Sequence, residues 1–475
     1  MEIKTDQFVA TAIRELKNSR SRMFLSRLAP HFTRSCLEAM KTFPEPKTAI
    51  EYGRAIRADV IFRLPELLQE FEKKATASGA QVIWAKDASE ANEFILSLAR
   101  KNGVTYVTKG KSMVTEEMGL NDYLRSNGIE PLETDLGEFI IQQLDRPPFH
   151  IVGPAINLPV EEIRDLFLVK GILAEPTTDR VKLGAAARVF LRDKFCHLRM
   201  GITGVNMAVA DTGAIINVEN EGNIRLCKAS PRIQVSIMTL EKVVPTMVDA
   251  LHMARLLCRH CTGQKLSSYV SIDCGPRKAG EVDGPDELYI IILDNGRSEI
   301  YQDIKGREAL RCIRCGACLN ACPVYGKIGG YPYGWAYSGP MGQVLNPLLL
   351  GLDKTYDLYH ATTLCGACKE VCPAGIDHPG LFLQSRARHV HQKGLKKVIP
   401  DRQTVFFSLF GWGIASGSRW RLGVKLLRPF VNRYAGNGVI RKMLKPLDGW
   451  FKSRNLPALA GRTFHERWKR MRPEN

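Results

Sequence analysis

Residues Arg311–Gly326 read RCIRCGACLNACPVYG, and the four cysteines in this stretch decide what the middle of the 475-residue chain must be. Cys312, Cys315, Cys318 and Cys322 stand at C-x2-C-x2-C-x3-C, with Pro323 directly after. This is the spacing of a bacterial ferredoxin-type 4Fe-4S site. Cysteines two residues apart can wrap a loop round one cubane with their sulfurs turned inward. Small Gly316 and Ala317 let backbone N–H groups approach the sulfides. A zinc site more often pairs one C-x2-C with a distant second pair, so zinc is the weaker reading.

A second group follows. Ala361–Pro373 reads ATTLCGACKEVCP, which gives Cys365, Cys368 and Cys372, but Thr362 stands where a fourth cysteine would be. In two-cluster ferredoxins the last cysteine of each run ligates the other cluster. On that rule Cys312, Cys315, Cys318 and Cys372 hold cluster 1, and Cys322, Cys365 and Cys368 hold cluster 2. The missing ligand then belongs to cluster 2 alone. Three readings stay open for it. It is a 3Fe-4S cluster; or a 4Fe-4S cluster with a non-cysteine ligand such as Thr362, His360, water or a substrate atom; or a cluster completed by a distant thiolate, for example Cys258 or Cys261 in LLCRHC. The 42 residues between Cys322 and Cys365 exceed a minimal two-cluster ferredoxin and suit an α-helical ferredoxin module.

Thirteen cysteines in a chain of this size need not mean disulfides. The six outside the two groups (Cys36, Cys196, Cys227, Cys258, Cys261 and Cys274) read as buried free thiols. No apolar run reaches ~18 residues, so no membrane-spanning helix is expected. The charged N-terminus lacks the apolar core of a signal peptide, and the expected location is the cytoplasm. Net charge is +18, but residues 381–475 hold 21 Lys and Arg against 4 Asp and Glu, whereas residues 1–380 hold 46 against 45. The last segment therefore meets something different from the rest, such as an acidic partner or anionic lipid.

Apolar spacing divides the chain into four parts. Residues 1–75 read as an N-terminal helical region. Residues 76–296 alternate strands and helices, which suggests a mainly parallel sheet covered on both faces, with an antiparallel hairpin added. Strand candidates are AQVIWAK, VTYVTKG, HIVGPA, IQVSIM, YVSIDCG and LYIIILDNG, and NMAVADTGAIINVE reads as the hairpin. Helices are expected over ASEANEFILSLARKNG, TEEMGLNDYLRSNG and PVEEIRDLF. Residues 297–380 hold the cysteine groups, and 381–475 form the basic segment with Trp412, Trp420, Trp450 and Trp468.

These features together resemble the LutB (LldF/YkgF) family of lactate-utilisation iron-sulfur proteins. The resemblance covers nearly the whole chain. It rests on VTKGKSMVTEEMGLNDYLRSNGIEPLETDLGEFIIQ, FHIVGPAINLPVEEI, GITGVNMAVADTGAIINVENEGN and GPDELYIIILDNGRS, then on both cysteine groups and the basic end. It implies an α/β LUD domain with a NagB/RpiA/CoA-transferase-like fold, a two-cluster ferredoxin domain and a LutB-type C-terminal domain. It also implies a part in oxidising L-lactate to pyruvate as an electron carrier, beside a LutA-like cysteine-rich subunit and a LutC-like LUD subunit.

Within the α/β part, Lys109, Lys111 and Ser112 in TKGKS follow a strand and precede a helix, where ligands of open α/β sheets bind. A carboxylate or phosphate site there competes with a plain solvated turn. A P-loop is excluded because position 105 is Thr where Gly is required. Asn206, Asn217 and Glu219 are further pocket candidates. Glu116 and Glu117 are candidate acids, though the charged first turn of a helix explains them as well. No Ser/His/Asp or Cys/His nucleophile set stands out, and no G-x-G-x-x-G follows a strand, so neither NAD nor flavin is expected.

The basic tail interleaves aromatic and basic residues. Docking of partner subunits is the leading expectation, with peripheral contact to anionic lipid behind it and nucleic acid unlikely. The expected function is electron transfer in L-lactate oxidation. The rivals are an enzyme using an open iron of cluster 2 as its substrate site, and a redox sensor.

Overall fold

A computed structural model of the chain describes residues 3–396, 402–443, 451 and 454–471. Two compact units divide it, residues 1–389 and 390–475.

The first unit is organised by a six-stranded sheet. Its strands belong to β1 (Gln81–Ala85), β2 (Tyr106–Lys109), β3 (Glu130–Glu133), β4 (Met200–Gly204), β5 (Met207–Val209), β6 (Ile215–Glu219), β7 (Ile233–Thr239), β8 (Val243–Val244), β9 (Tyr269–Asp273) and β10 (Glu287–Leu293). The main sheet runs β1-β10-β7-β4-β2-β3, and every neighbouring pair is parallel. A second sheet, β8-β5-β6-β9, contains the expected hairpin, with β5 antiparallel to β6.

The interior strand β10, beside edge strand β1, shows why the sheet is buried on both sides. Leu288, Ile290 and Ile292 face one core with Leu67, Phe71 and Met253, from helices Leu64–Ala77 and Met247–Cys261. Tyr289, Ile291 and Leu293 face the other, with Ile95 of helix Ala88–Lys101 and Leu120. Each such side chain contributes roughly 1.5–3 kcal/mol on leaving water, and a continuous apolar run is the signature of a strand covered on both faces. Asp87 caps its helix by accepting from Glu90 N–H at 3.0 Å.

Three expectations need correction. HIVGPA forms no strand: Lys111 Nζ donates to Val152 O at 2.7 Å, and Phe149 N–H to Pro154 O at 3.0 Å, so this segment folds over the first cysteine loop instead of joining a sheet. The helix expected over TEEMGLNDYLRSNG is broken in two, Met113–Glu117 and Leu120–Ser126. Of the six scattered cysteines, Cys227 and Cys258 are buried, but Cys196 and Cys274 are exposed.

Four helices precede the sheet, Phe8–Lys17, Ser19–Met40, Pro46–Phe62 and Leu64–Ala77. Met40, Phe43 and Ile56 join the sheet's core, while Phe8 and Leu25 join that of the cysteine region, beside Phe149, Tyr325, Tyr333 and Phe382. The N-terminal helices therefore clamp the α/β part and the cysteine region into one body. Lys4 N–H donating to Gly334 O at 2.8 Å fastens the first turn.

In the second unit, helices Arg402–Ile414 and Gly417–Asn432 precede three short antiparallel strands and helix Phe464–Met471. Phe406, Leu409, Trp412, Leu426 and Phe430 are exposed, and the Arg419 guanidinium lies 4.5 Å from the Trp412 ring centroid. Trp450 lies outside the described residues. Among the described residues no helix is long and apolar enough to cross a membrane.

Candidate metal centres

The first cysteine loop is turned by two residues in the left-handed backbone region, Arg314 at φ 62° and Gly316 at φ 76°. A Cβ on Gly316 would stand 3.1 Å from Ile151 Cγ2, and its conformation suits glycine in any case. Helix Ala317–Ala321 then carries Cys318 back toward Cys315. The recess this loop encloses is lined by Cys312, Cys315, Cys318 and Cys372, with apolar Ile151, Met341 and Ile376 round them. Arg314 N–H donates to Cys312 Sγ at 3.4 Å, and Ile376 N–H to Cys372 Sγ at 3.5 Å.

A second recess is lined by Cys322, Cys365 and Cys368, with Gln343, Thr362 and Phe382. Tyr325 N–H donates to Cys322 Sγ at 3.5 Å. The loop again uses two left-handed residues, Leu364 at φ 54° and Gly366 at φ 85°. Cys365 is exposed, and hydrogen bonds from the Thr363 hydroxyl and then Ala367 N–H hold its thiol below its ordinary value. Each recess thus receives a cysteine from the other loop. Thiols, N–H donors to sulfur and apolar walls are what a sulfide-rich cluster requires, and the residues present fit one cluster per recess. Among the described residues, no three His, Cys, Asp or Glu side chains converge on a single-ion point.

Beneath the first loop lies a buried ionic network that sequence reading did not assemble. Arg297 Nη2 stands 2.7 Å from Glu117 Oε2 and its Nε 3.1 Å from Glu241 Oε2; Arg314 Nη2 reaches Glu241 Oε1 at 3.0 Å. Tyr337 O–H donates to Glu117 Oε2 at 2.5 Å. Arg57 donates to the carbonyls of Glu241 and Leu310 at 2.7 and 2.8 Å. Burial pushes the Glu241 carboxyl up, but Arg297 and Arg314 outweigh it and hold it down at about 2. Burial and then Arg314 lower the Lys242 ammonium to about 8. A partial signal was present: Glu241 and Arg297 each follow the C-terminal end of a central strand, where polar groups of α/β sheets gather. Nothing in sequence paired them with Arg314.

The candidates in the α/β part do not converge on one pocket. Lys109 is buried and held by Thr115 Oγ1 at 2.7 Å, Glu133 at 2.8 Å and Glu116 at 3.0 Å. Burial alone would lower its pKa, but the two carboxylates outweigh it and keep it charged. The two carboxylates also line a polar cavity of about 620 Å³, with Glu138, Tyr331 and Trp335, which Lys109 itself does not line. Lys111 is taken up by Val152 O, and Ser112 Oγ lies against Gly204. Asn217 Nδ2 donates to Gly204 O at 2.7 Å, Asn206 Oδ1 accepts from Val218 N–H at 3.0 Å, and Glu219 accepts from Ile224 and Arg225 N–H at 2.7 and 3.0 Å. These last three hold local backbone. Glu117, weighed as an acid, belongs to the ionic network.

The other candidates for the missing ligand do not line the second recess. His360 Nδ1 is engaged with Tyr356 O at 2.8 Å, and its ring lies against Tyr356 and Tyr359. Cys261 interacts with Lys111 and Cys315, on the side of the first recess, and Cys258 bonds Ser267.

A parallel α/β domain joined to paired cysteine recesses defines an iron-sulfur protein with a ferredoxin-like domain. Comparison with known families agrees: residues 68–293 match the LUD domain, 308–376 the 4Fe-4S dicluster domain, and 384–472 the C-terminal domain of lactate utilisation protein B. The chain is 40% identical over 425 residues to Lactate utilization protein B of Bacillus pumilus (strain SAFR-032), covering 89% of each chain. It is 39% identical over 474 residues to that of Anoxybacillus flavithermus (strain DSM 21510 / WK1), covering 99% of each. The chain belongs to the lactate utilization protein B family. A crystal structure of a DUF162 family protein from Deinococcus radiodurans aligns with 48% of this chain and 98% of its own at 15% identity, with a TM-score of 0.27.

Proposed function

We propose that this chain is the iron-sulfur electron-transfer subunit of a cytoplasmic system that oxidises L-lactate to pyruvate. The observation that carries the reading is the crossing of the loops: Cys372 lines the first recess, and Cys322 the second. Clusters sharing loops in this way lie close together, and a pair of near clusters passes electrons one at a time. Cys312, Cys315, Cys318 and Cys372 would hold the first cluster, and Cys322, Cys365 and Cys368 three irons of the second. Bound there, the clusters supply one-electron redox chemistry. The chain's own residues fix their surroundings: the loop N–H groups bond the ligand sulfurs, the apolar walls of the first recess exclude water from it, and Arg314, Arg57 and Lys242 set positive charge beside Cys312. The names of the relatives support lactate as the electron source, with partner subunits related to LutA and LutC completing the conversion.

The test is anaerobic EPR with iron analysis. Cys372→Ser is expected to remove the first cluster's signature although it lies in the second loop, and Cys322→Ser the second's. L-lactate is expected to reduce the clusters only when partner subunits are added. Reduction by the isolated chain would overturn the carrier reading in favour of an enzyme.

A further inference from the structure

We propose that the Thr362 hydroxyl oxygen is the fourth protein ligand of the second cluster, making it a 4Fe-4S centre with one oxygen-bound iron. The inference rests on the two-cluster reading above and extends it to the one coordination position that the cysteines leave unfilled.

The two loops repeat at an offset of fifty residues. Cys315, Cys318 and Cys322 correspond to Cys365, Cys368 and Cys372, and Pro323 to Pro373. At that offset Thr362 falls on Cys312. The backbone repeats as well. Arg314 and Gly316 are left-handed in the first loop, and Leu364 and Gly366 in the second, with φ values within about ten degrees for each pair. The polar contact repeats too. Arg314 N–H donates to Cys312 Sγ at 3.4 Å, and Leu364 N–H donates to Thr362 Oγ1 at 3.0 Å. The shorter second distance is that of an oxygen acceptor in the place of a sulfur. Thr362 also lines the second recess with Cys322, Cys365 and Cys368, whereas His360, Cys258 and Cys261 do not.

A hydroxyl oxygen has two acceptor lone pairs, and the Leu364 N–H uses one. The other is free for iron. On ligation an Fe–O bond forms and the hydroxyl proton passes to water, which reaches this exposed loop; no electron is exchanged. Oxygen is a harder donor than thiolate and suits iron in a sulfide cage less well. The oxygen-bound iron is therefore the most easily lost of the set.

The experiment uses the full chain, reconstituted anaerobically with 57Fe, with iron analysis, Mössbauer spectroscopy and EPR. The wild type is expected to show one iron of the second cluster with a non-thiolate signature. Thr362→Ser should keep that signature, because it keeps the oxygen. Thr362→Cys should convert the iron to an all-thiolate site and leave the first cluster's spectrum unchanged. Thr362→Val keeps the shape and loses the donor. It should lose one iron per chain and give a 3Fe-4S signal on mild oxidation. If Thr362→Val keeps the wild-type iron content and spectrum, the ligand is not this hydroxyl. If the wild type and Cys365→Ser have identical spectra, no second cluster is present, and it is the two-cluster reading that has failed.

Discussion

The Cys312–Cys322 loop and its counterpart at 362–372 share a backbone course and differ in what surrounds them. The first is walled by Ile151, Met341 and Tyr337 and rests on Arg297, Glu117 and Glu241. The second has Thr363, Leu364 and Cys365 exposed. At corresponding positions, Arg314 reaches a buried carboxylate, whereas Leu364 is 40% exposed. A loop's conformation follows from the ligands it must present, while its environment follows from what the centre must contact. A buried centre tied to the sheet faces inward, toward the α/β domain. An exposed one faces a partner or solvent. This asymmetry gives the proposed wire an inner and an outer end.

The largest expected effect tests the inner end. Glu241→Ala leaves Arg297 and Arg314 without their shared carboxylate in a buried site. Breaking a buried ion pair from one side costs about 3–5 kcal/mol. Denaturant unfolding should show a loss of that size, and the first cluster's signature should weaken before the second's. An unchanged midpoint would mean that the network contributes nothing to joining the two parts. Arg314→Leu, which gives the first loop the residue of the second, is milder because Arg297 remains. Losing a charge-assisted hydrogen bond costs about 1.5–3 kcal/mol. Redox titration should also find the first cluster's potential lowered, since a positive charge has gone from beside it, and the second's unmoved.

Much of this asymmetry was hidden from sequence. The strands β1, β2, β7, β9 and β10 were legible because they are apolar runs bounded by turn residues, and the cysteine groups because ligand spacing is local. Strands β3 and β4 were not, since Pro and Glu in EPLE and two Gly in MGITG weaken the strand signal, and pairing makes them strands, β3 with β2 and β4 with both β2 and β7. The ionic network was invisible for a different reason. Its members lie at positions 57, 117, 241, 297 and 314, and no local period connects them. The same holds for HIVGPA, whose composition suits a strand but whose backbone is taken up by Lys111 and the first loop.

His150, in that segment, makes the packing beside the first loop sensitive to pH. Val152 N–H donates to its Nδ1 at 3.1 Å, so Nε2 carries the proton and donates to Asn320 Oδ1 at 3.1 Å. The contact at Nδ1 requires the neutral ring; burial, the largest cause, lowers the His150 pKa from 6.5 to about 4, although the bond to Asn320 favours the charged form. A histidine whose folded pKa is depressed contributes stability that is complete above pH 6.5 and is lost as pH falls toward 4. One proton gives a slope of at most about 1.4 kcal/mol per pH unit. Stability should decline across that window in the wild type and less steeply in His150→Gln. Equal slopes would assign the decline to other groups.

The smallest effect is expected at Leu364, and its smallness is informative. Leu364→Gly relieves the left-handed strain of a side chain, about 1–2 kcal/mol. Against this, glycine costs about 0.4–1 kcal/mol through the freedom it gives the unfolded chain. A half-covered leucine side chain also gives up roughly 1 kcal/mol of burial. The three nearly cancel, so unfolding should shift by less than about 0.5 kcal/mol. A residue held in an unfavourable conformation whose removal neither helps nor harms the fold is there for the geometry of the loop. A loss well beyond 1 kcal/mol would instead make Leu364 a structural anchor, and the likeness of the two backbones would then owe more to packing than to presenting ligands.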